Sequence, residues 1–227
     1  MIKLYEVKKM AANYRSVFDI IGPIMIGPSS SHTAGAVAIG QVVNKVFHAS
    51  PQKIVVHYYE SFAQTHKGHG TDYAIIGGIL GFATDDSRVP KSIQIAKKRG
   101  IEVQFIEENN NSPIGHPNTA IVNISNDERQ VEVSGCSIGG GAIEIRKIKM
   151  DGFEIKPKGP LPIVLMLGSN SQNKEIKPRL SKMSKIDAEN SFGKNTENKM
   201  FEYDIDSHLS NSEMSELSNN FNDLIYL

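Results

Sequence analysis

The chain has 227 residues, with 25 basic and 25 acidic side chains, one cysteine and no tryptophan. This length suits one large domain or two modest ones, and it supplies enough side chains for a core without disulfides. A formal net charge of zero argues against a nucleic-acid-binding protein, which would need a basic face. The single cysteine, Cys136, excludes an intramolecular disulfide framework and a self-contained four-cysteine iron–sulfur or zinc site.

No segment resembles a membrane span or a secretory signal. A span needs roughly 18 uninterrupted apolar residues, and the longest candidate, residues 34–47, is interrupted by glycine, glutamine, asparagine and lysine. The first ten residues are charged throughout and lack the apolar centre of a signal peptide. We therefore expect a soluble cytoplasmic protein with no membrane partner.

The residues before position 152 predict an α+β order of elements. Helices are predicted at residues 34–47, 73–82 and 92–99, and strands at residues 54–59, 101–106, 119–124, 131–133 and 142–148. The last two strands form a hairpin around the three glycines at 139–141. This order is not a strict βαβ repeat, which would indicate a parallel sheet.

A change in composition near residue 152 predicts a domain boundary. Residues 152–162 contain three prolines and two glycines, which interrupt helices and strand ladders. We interpret them as a linker between a domain at residues 1–151 and a smaller one at residues 163–227. The predicted elements of the smaller domain are strand 163–167, helix 174–183, strand 186–192, a turn at 194–198, strand 200–205, helix 212–222 and strand 224–227. This βαββαβ order is that of a ferredoxin-like unit.

The first of three polar clusters is Gly-Pro-Ser-Ser-Ser-His-Thr at residues 27–33, directly before the first predicted helix. Hydroxyl groups and free N–H groups at a helix start favour a bound anion, such as a carboxylate or phosphate. His32 could move a proton near neutral pH. The same residues are also typical of a simple helix cap.

The second cluster is His-Lys-Gly-His-Gly-Thr-Asp at residues 66–72. His66 and His69 are close enough to suggest a metal, but two histidines without a third ligand are a weak site. The glycines at 68 and 70 indicate close approach of the backbone to something small. An ordinary glycine-rich turn explains the cluster equally well.

The third cluster is Pro-Ile-Gly-His-Pro-Asn-Thr at residues 113–119. Pro117 restricts His116 to an extended conformation, and Asn118 could orient a carboxylate or hydroxyl through its amide. Cys136 is interpreted as an inert structural thiol. Together the three clusters predict a small anionic substrate held at helix N-termini, with histidines available for proton transfer.

Four segments resemble motifs of the iron–sulfur-dependent L-serine dehydratases, in the same order. They are the run from Ser16 to Thr33, Gly-His-Gly-Thr-Asp at 68–72, His-Pro-Asn at 116–118 and Ser-Ile-Gly-Gly-Gly at 137–141. In two-chain members of this family the N-terminal half is a separate beta chain that ends in an ACT domain. The resemblance therefore implies a beta-type domain, similar to an allosteric substrate-binding domain, followed by a ferredoxin-like ACT domain.

The same resemblance implies an activity and a partner. The family converts L-serine to pyruvate and ammonia through an enamine, with a [4Fe–4S] cluster acting as a Lewis acid on the substrate hydroxyl. The cysteines that ligate the cluster belong to the alpha chain, which agrees with the single cysteine here. We therefore expect a lyase subunit that is inactive alone and joins an alpha chain in a higher α/β oligomer.

The resemblance also assigns roles residue by residue. The catalytic candidates are His32, His116 and Asn118. The substrate-binding candidates are Ser29, Ser30, Ser31, Thr33, His69, Thr71 and Asp72. No metal ligand is expected in this chain, and the identity of the base stays open at this point.

The chain departs from the family in one segment, and two alternative functions remain open. ACT domains usually join their first strand and helix through an Asp-Arg-Pro-Gly type of loop, and residues 167–174 contain neither arginine nor proline. This favours a dimerisation surface or a degenerate copy over amino-acid binding. The main rival function is a non-catalytic amino-acid-sensing module. A pyridoxal-phosphate lyase is weaker, because no lysine stands in a recognisable phosphate-binding context.

Overall fold

The computed structural model describes residues 23–157, 161–193 and 198–227. In these ranges the chain forms a six-stranded and a four-stranded sheet, with helices against both. The predicted α+β class is confirmed. Residues 16–22 of the longest motif and most of the predicted turn at 194–198 lie outside the described residues.

The first sheet and its helices come from residues 23–157. The strands are β1 (Lys53–Tyr59), β2 (Glu102–Glu108), β3 (Thr119–Ser125), β4 (Gln130–Gly139), β5 (Ala142–Met150) and β6 (Phe153–Ile155). The helices are α1 (Gly35–Phe47), α2 (Glu60–His69), α3 (Thr71–Ile79) and α4 (Ser92–Lys98). A π-helical turn, Ser30–Ala34, leads into α1, and a 3-10 turn, Val89–Lys91, leads into α4. The sheet order is β2-β1-β3-β4-β5-β6, with β1 and β2 parallel and all other pairs antiparallel.

Helices α1 and α3 pack with their backbones in direct contact. A Cβ atom built on Gly40 of α1 would lie 2.2 Å from the main-chain oxygen of Ile75, and one on Gly78 of α3 would lie 2.1 Å from the oxygen of Val37. Glycine at both positions therefore permits an approach that any side chain would block. This contact joins the first half of α1 to the middle and end of α3.

The alternation along β1 shows how the sheet covers this core. Ile54, Val56 and Tyr58 are fully buried beneath the helices, whereas Val55 and His57 on the other face are half-buried. The period of two is that of a strand with one face on a core. At its end, Tyr59 of β1 pairs with Thr119 of the third polar cluster.

The structure corrects the prediction in two places. Helix α2 was not predicted, because its sequence is polar and only Phe62 and His66 are buried along it. As a result α3 begins at Thr71 rather than at residue 73. The predicted linker at 152–162 also contains strand β6, which pairs with the edge of β5 and extends the first sheet.

The second sheet has the predicted βαββαβ order. Its elements are β7 (Ile163–Gly168), α5 (Asn170–Met183), β8 (Ile186–Phe192), β9 (Lys199–Ile205), α6 (Asn211–Asn220) and β10 (Leu224–Tyr226). The strands run antiparallel in the order β10-β7-β9-β8, which is that of a ferredoxin-like unit. Ser169 and Ser210 begin the two helices with complete capping boxes.

The two central strands of the four-stranded sheet, β7 and β9, are buried on both faces. One face packs against α5 and α6 in a separate cluster that includes Ile176, Leu180 and Leu217. The other face contributes Leu165 and Met200 to the main core of the first sheet. The second unit is thus attached by apolar contact, and the limits 1–151, 152–162 and 163–227 stay a prediction. Within the described ranges, the helices lack the length and apolarity that crossing a membrane requires.

Candidate active site

The first polar cluster forms a tight cap ahead of α1. The Ser29 hydroxyl accepts a hydrogen bond from the His32 N–H at 3.3 Å, and the Ser29 main-chain oxygen accepts one from the Thr33 N–H at 2.7 Å. A Cβ on Gly27 would fall 2.2 Å from the Thr33 methyl group, so the chain closes tightly over the turn. Ser30 and Ser31 stay partly exposed at this helix start, where free N–H groups favour an anion.

The His32 ring is held by hydroxyl groups on both sides. Its Nδ1 lies 3.0 Å from Ser31 Oγ and 3.3 Å from Ser29 Oγ, and its Nε2 lies 3.4 Å from Ser61 Oγ. Burial lowers the pKa of His32, and the neighbouring ring of His69 lowers it further. His32 is therefore an oriented and neutral imidazole near pH 7.

The second motif joins the first through His69. The Thr33 hydroxyl donates to the His69 main-chain oxygen at 3.0 Å. Gly70, at φ +70, turns the chain from α2 into α3, and a Cβ there would lie 2.1 Å from Tyr73 Oη. The His69 Nδ1 and Thr71 Oγ1 atoms are buried without a hydrogen-bond partner among the described residues. Such atoms are costly to leave unpaired, so a ligand at this position would find two free polar groups.

Asp72 of the same motif contacts His66. Its Oδ1 lies 2.6 Å from His66 Nδ1, and His66 Nε2 lies 2.9 Å from Glu107 Oε1. Both ring nitrogens of the buried His66 are thus occupied by carboxylates, which leaves neither free for a metal ion. Hydrogen bonds from Lys67 and then from His66 lower the pKa of Glu107 to about 2. Burial, followed by the negative charge of Asp72, raises the pKa of Tyr58 well above its usual value.

The third motif fixes the tautomer of His116. Its Nδ1 accepts a hydrogen bond from the Asn118 main-chain N–H at 3.1 Å, so the neutral ring carries its hydrogen on Nε2. Burial and the charge of Arg146 lower the pKa of His116, while Glu144 and Glu60 act in the opposite direction. His116 therefore presents an N–H donor near neutral pH.

Asn118 connects the third motif to the fourth. Its side-chain amide donates to the Ser137 main-chain oxygen at 3.4 Å, and the Ser137 N–H donates to the Asn118 oxygen at 3.0 Å. The buried Ser137 hydroxyl has no hydrogen-bond partner in the described part of the chain, and it lies 2.3 Å from a Cβ built on Gly35 at the start of α1. A Cβ on Gly141 would lie 2.9 Å from Pro23. The glycine hairpin thus packs beside the first cluster.

Three further residues of the site lie at the start of α2, outside the four motifs. The Ser61 hydroxyl contacts His32, Phe62 lies 5.3 Å from the His32 ring centroid, and the Glu60 carboxylate accepts the N–H of Ser112 at 2.8 Å. The sequence gives one signal for them, which is that they directly follow a clear β-branched and aromatic strand.

The side chains of the described residues do not form a binding site for an iron–sulfur cluster. Among the described residues no three histidine, cysteine, aspartate or glutamate side chains are placed to bind a metal ion. Cys136 is buried in β4, and burial raises the pKa of its thiol to about 11. A thiol of this kind is a poor metal ligand, because metals bind the thiolate.

A family model described as serine dehydratase beta chain matches residues 16–147, more than half of the chain. This chain belongs to the serine dehydratase beta chain family. All four motifs lie inside the matched range, and the four-stranded sheet lies outside it. The resemblance drawn from the motifs is therefore confirmed at the level of the family.

Relatives of known name agree with this membership. The chain is 53% identical over 154 residues to the "Probable L-serine dehydratase, beta chain" of Bacillus subtilis, covering 68% of both proteins. It is 41% identical over 152 residues to the "L-serine dehydratase, beta chain" of Peptoniphilus asaccharolyticus, covering 66% of this chain and 67% of that one. It is 33% identical over 150 residues to "L-serine dehydratase 1" of Escherichia coli, where the match covers 56% of this chain but 33% of that protein.

Proposed function

We propose that this chain is the beta subunit of an L-serine dehydratase, which deaminates L-serine to pyruvate and ammonia. One observation carries the proposal: a neutral His32 contacts both the hydroxyl-rich turn before α1 and the ring of His69, whose Nδ1 atom has no hydrogen-bond partner among the described residues. The names of the relatives supply the substrate, and the geometry supplies groups that suit it. An amino acid offers a carboxylate, an acidic α-hydrogen and a hydroxyl leaving group to such a site.

The carboxylate of serine would bind at the π-helical turn before α1. Ser30 and Ser31 are partly exposed there, and the N-terminus of a long helix favours negative charge. Ser29 and Thr33 support this turn from within, because their side chains are already engaged with His32 and His69. Thr71 and His69 offer the two buried polar atoms that a bound substrate could pair.

His32 would serve as the base that removes the α-hydrogen. A base must be unprotonated at the working pH and held within reach of the proton. Burial and His69 keep the pKa of His32 low, and the Ser31 and Ser61 hydroxyls orient its ring from opposite sides. Neither contact is a charged group that would hold the ring protonated.

His116 would act as a donor and not as the base. Because its Nδ1 is occupied by the Asn118 N–H, its Nε2–H is the group available to a ligand. An N–H donor can stabilise negative charge as it develops on the departing hydroxyl oxygen. Asn118 holds this ring and the Ser137 segment in place.

The reaction proposed is a β-elimination followed by hydrolysis. His32 would take the α-proton, the α C–H electron pair would form the C=C bond, and the β C–O bond would break to release hydroxide. The hydroxide and the proton on His32 together make up the water that is lost, and an enamine results. The enamine tautomerises to an imine, and hydrolysis then releases pyruvate and ammonia. A [4Fe–4S] cluster held by cysteines of an alpha chain would supply Lewis acidity toward the hydroxyl. This chain would accordingly be inactive alone.

The test is anaerobic co-expression with an alpha-type chain, iron reconstitution and measurement of pyruvate from L-serine. His32→Ala should lower kcat by about 100- to 10,000-fold, as expected for loss of a general base. His208→Ala is the matched control, because this exposed histidine lies in the ferredoxin-like unit. Pyruvate formation unchanged by His32→Ala would remove the catalytic assignment. Serine binding without turnover in every reconstituted complex would favour an amino-acid-sensing module.

We also propose that the ferredoxin-like unit is an ACT-like domain used for assembly into a higher α/β oligomer. Where an ACT domain would bind an amino acid, between β7 and α5, the chain has a helix cap. There Gln172 Oε1 accepts the Ser169 N–H at 2.8 Å, and the Ser169 hydroxyl accepts the Gln172 N–H. These polar groups are consumed by the cap, so an effector would find few partners.

A further inference from the structure

We propose that Glu60 is a positioning residue for His116, holding its loop from the start of α2 and setting its charge environment. The proposal rests on the proposed function, in which His116 touches the substrate. It assigns a role to a carboxylate that lies in none of the four family motifs.

The backbone of Glu60 is unusual. It is the first residue of α2, immediately after β1, and its φ is +47. This left-handed conformation is uncommon for a residue with a side chain, and such outliers concentrate at functional sites. The turn brings the carboxylate to the loop that carries His116, where Oε1 accepts the Ser112 N–H at 2.8 Å.

The start of α2 holds this loop at two places. Besides the bond to Ser112, the Phe62 N–H donates to the main-chain oxygen of Pro117, the residue after His116, at 3.3 Å. The Ser112 hydroxyl donates to Thr119 Oγ1 at 2.9 Å, and Thr119 Oγ1 donates to the His116 oxygen at 2.6 Å. Three consecutive hydrogen bonds therefore lead from the Glu60 carboxylate to the backbone of His116.

Glu60 also contributes to the charge around His116. The charged groups that face the ring are Glu60 from α2 and the pair Glu144 and Arg146 from β5. Arg146 binds Glu144 at 2.7 Å, and of this pair Arg146 has the larger effect on the pKa of His116. Glu60 forms no ion pair within the described residues. Its negative charge raises the pKa of His116, against burial and Arg146, which lower it.

An ordinary helix start does not account for this arrangement. A glutamate in the first turn stabilises a helix through the N-terminal partial charge, and it does so without left-handed backbone. Here the carboxylate is turned outward to a segment 52 residues away in the chain. Glu60 thus has two roles, which are to hold the loop through Ser112 and to supply negative charge near His116. Glu60→Gln separates them, because it removes the charge but keeps an oxygen that can accept the Ser112 N–H.

The first arm of the test is an NMR titration of the histidines in the full chain, without any partner. Glu60→Gln keeps an acceptor for Ser112 but removes the charge, so the His116 midpoint should move to lower pH while that of His208 stays in place. An unchanged His116 midpoint would overturn the proposal. Because no turnover is needed, this arm is independent of the proposed function.

The second arm measures kcat and KM in the complex with an alpha-type chain. Glu60→Gly adopts the left-handed conformation freely but loses the carboxylate. We expect a thermal midpoint close to that of the wild type and a kcat/KM about 10- to 100-fold lower, as for a slightly misplaced catalytic group. Full activity of Glu60→Gly would show that Glu60 only shapes the turn. An inactive wild-type complex would count against the proposed function, and the titration would still decide the role of Glu60.

Discussion

The imidazole ring of His69 meets that of His32 edge-on, with 4.7 Å between the ring centroids and an interplanar angle of 68°. Two imidazoles at this distance cannot both be protonated cheaply. The Thr33 hydroxyl fixes the contact by donating to the His69 main-chain oxygen. Two motifs 36 residues apart in the chain thus form one unit, in which the ring of His69 helps to lower the pKa of His32.

A shift in the pH profile should follow from removing this neighbour. Because burial and then His69 lower the pKa of His32, the acid limb of kcat/KM should lie below the usual imidazole value of about 6.5. In His69→Gln one of these two causes is absent, so the limb should move to higher pH. The measurement is kcat/KM for L-serine between pH 5 and 9 in the complex with an alpha-type chain. An acid limb that stays in place or moves to lower pH would contradict the prediction that His69 lowers the pKa of His32.

The stability of the fold should decrease as the pH is lowered, for a related reason. The pKa values of His32 and His116 are lower in the folded chain than in an unfolded one, mainly because of burial. The unfolded state therefore binds more protons as the pH falls. The stabilisation is present in full above about pH 6.5 and is lost as the pH falls through the lowered values. Urea unfolding of the full chain at pH 7.5 and pH 5 measures this difference.

The control for this prediction is the double variant His32→Gln, His116→Gln. It lacks both titrating rings, so its stability should depend less on pH across the same range. Other groups set the remaining slope. An equally steep loss of stability in the double variant would assign the effect to carboxylates instead.

Elements with strong local patterns were predictable from the sequence. The alternation and flanking turns of residues 186–192 locate β8 (Ile186–Phe192) without error, and the apolar run before residue 47 locates α1. Helix α2 was missed because only Phe62 and His66 are buried along it. Tertiary contacts made by these two side chains decide its structure, and no local period reports them.

The site was predictable as a set of polar clusters but not as a geometry. The sequence indicates His32 and His116, yet it contains no sign that the Asn118 N–H occupies one nitrogen of His116. Asp72 was grouped with the substrate-binding residues, and the structure directs its carboxylate to His66 instead. Asp72 lies on α3, and its partner His66 lies on α2, the helix that the sequence does not predict. The contact between the two side chains therefore could not be predicted either.

The contact between α1 and α3 gives a prediction on packing. Gly40→Ala would place a methyl group 2.2 Å from the Ile75 oxygen, which is rigid helix backbone, so the helices must separate. We expect a loss of about 1–3 kcal/mol in the free energy of unfolding, the usual cost of overpacking. Urea unfolding monitored by circular dichroism measures it.

Gly68→Ala is the matched control for that variant. Gly68 lies inside α2, and a Cβ there meets no atom within 4 Å. Alanine should therefore stabilise the chain by about 0.5–1 kcal/mol, because glycine in a helix interior loses more backbone entropy on folding. If both substitutions changed stability by the same amount and sign, the close approach of α1 and α3 would not be what glycine serves at position 40.

The buried His66 should matter for stability and, through His69, for the site. Its ring nitrogens lie 2.6 Å from Asp72 Oδ1 and 2.9 Å from Glu107 Oε1, so it joins α2 to both α3 and β2. His66→Leu keeps the apolar volume but leaves the Asp72 carboxylate, with 18% of its side chain exposed, without its partner. We expect a loss of about 1–3 kcal/mol, the cost of an unpaired buried polar group.

The control and the functional readout separate two roles of His66. His208→Leu removes an exposed ring whose Nδ1 lies 2.9 Å from Tyr226 Oη, so it should lower the free energy of unfolding by about 0.5–1 kcal/mol at most. Because His66 lies one helical turn before His69, its loss should loosen the His32–His69 contact and lower kcat even where the chain stays folded. Asp72→Asn, which keeps an oxygen facing the His66 ring, should retain more stability than His66→Leu. A different outcome is that His66→Leu lowers stability and yet leaves kcat and KM unchanged at a temperature well below its unfolding midpoint. In that case the contacts of His66 with Asp72 and Glu107 would stabilise the fold alone and would have no influence on the His32 ring.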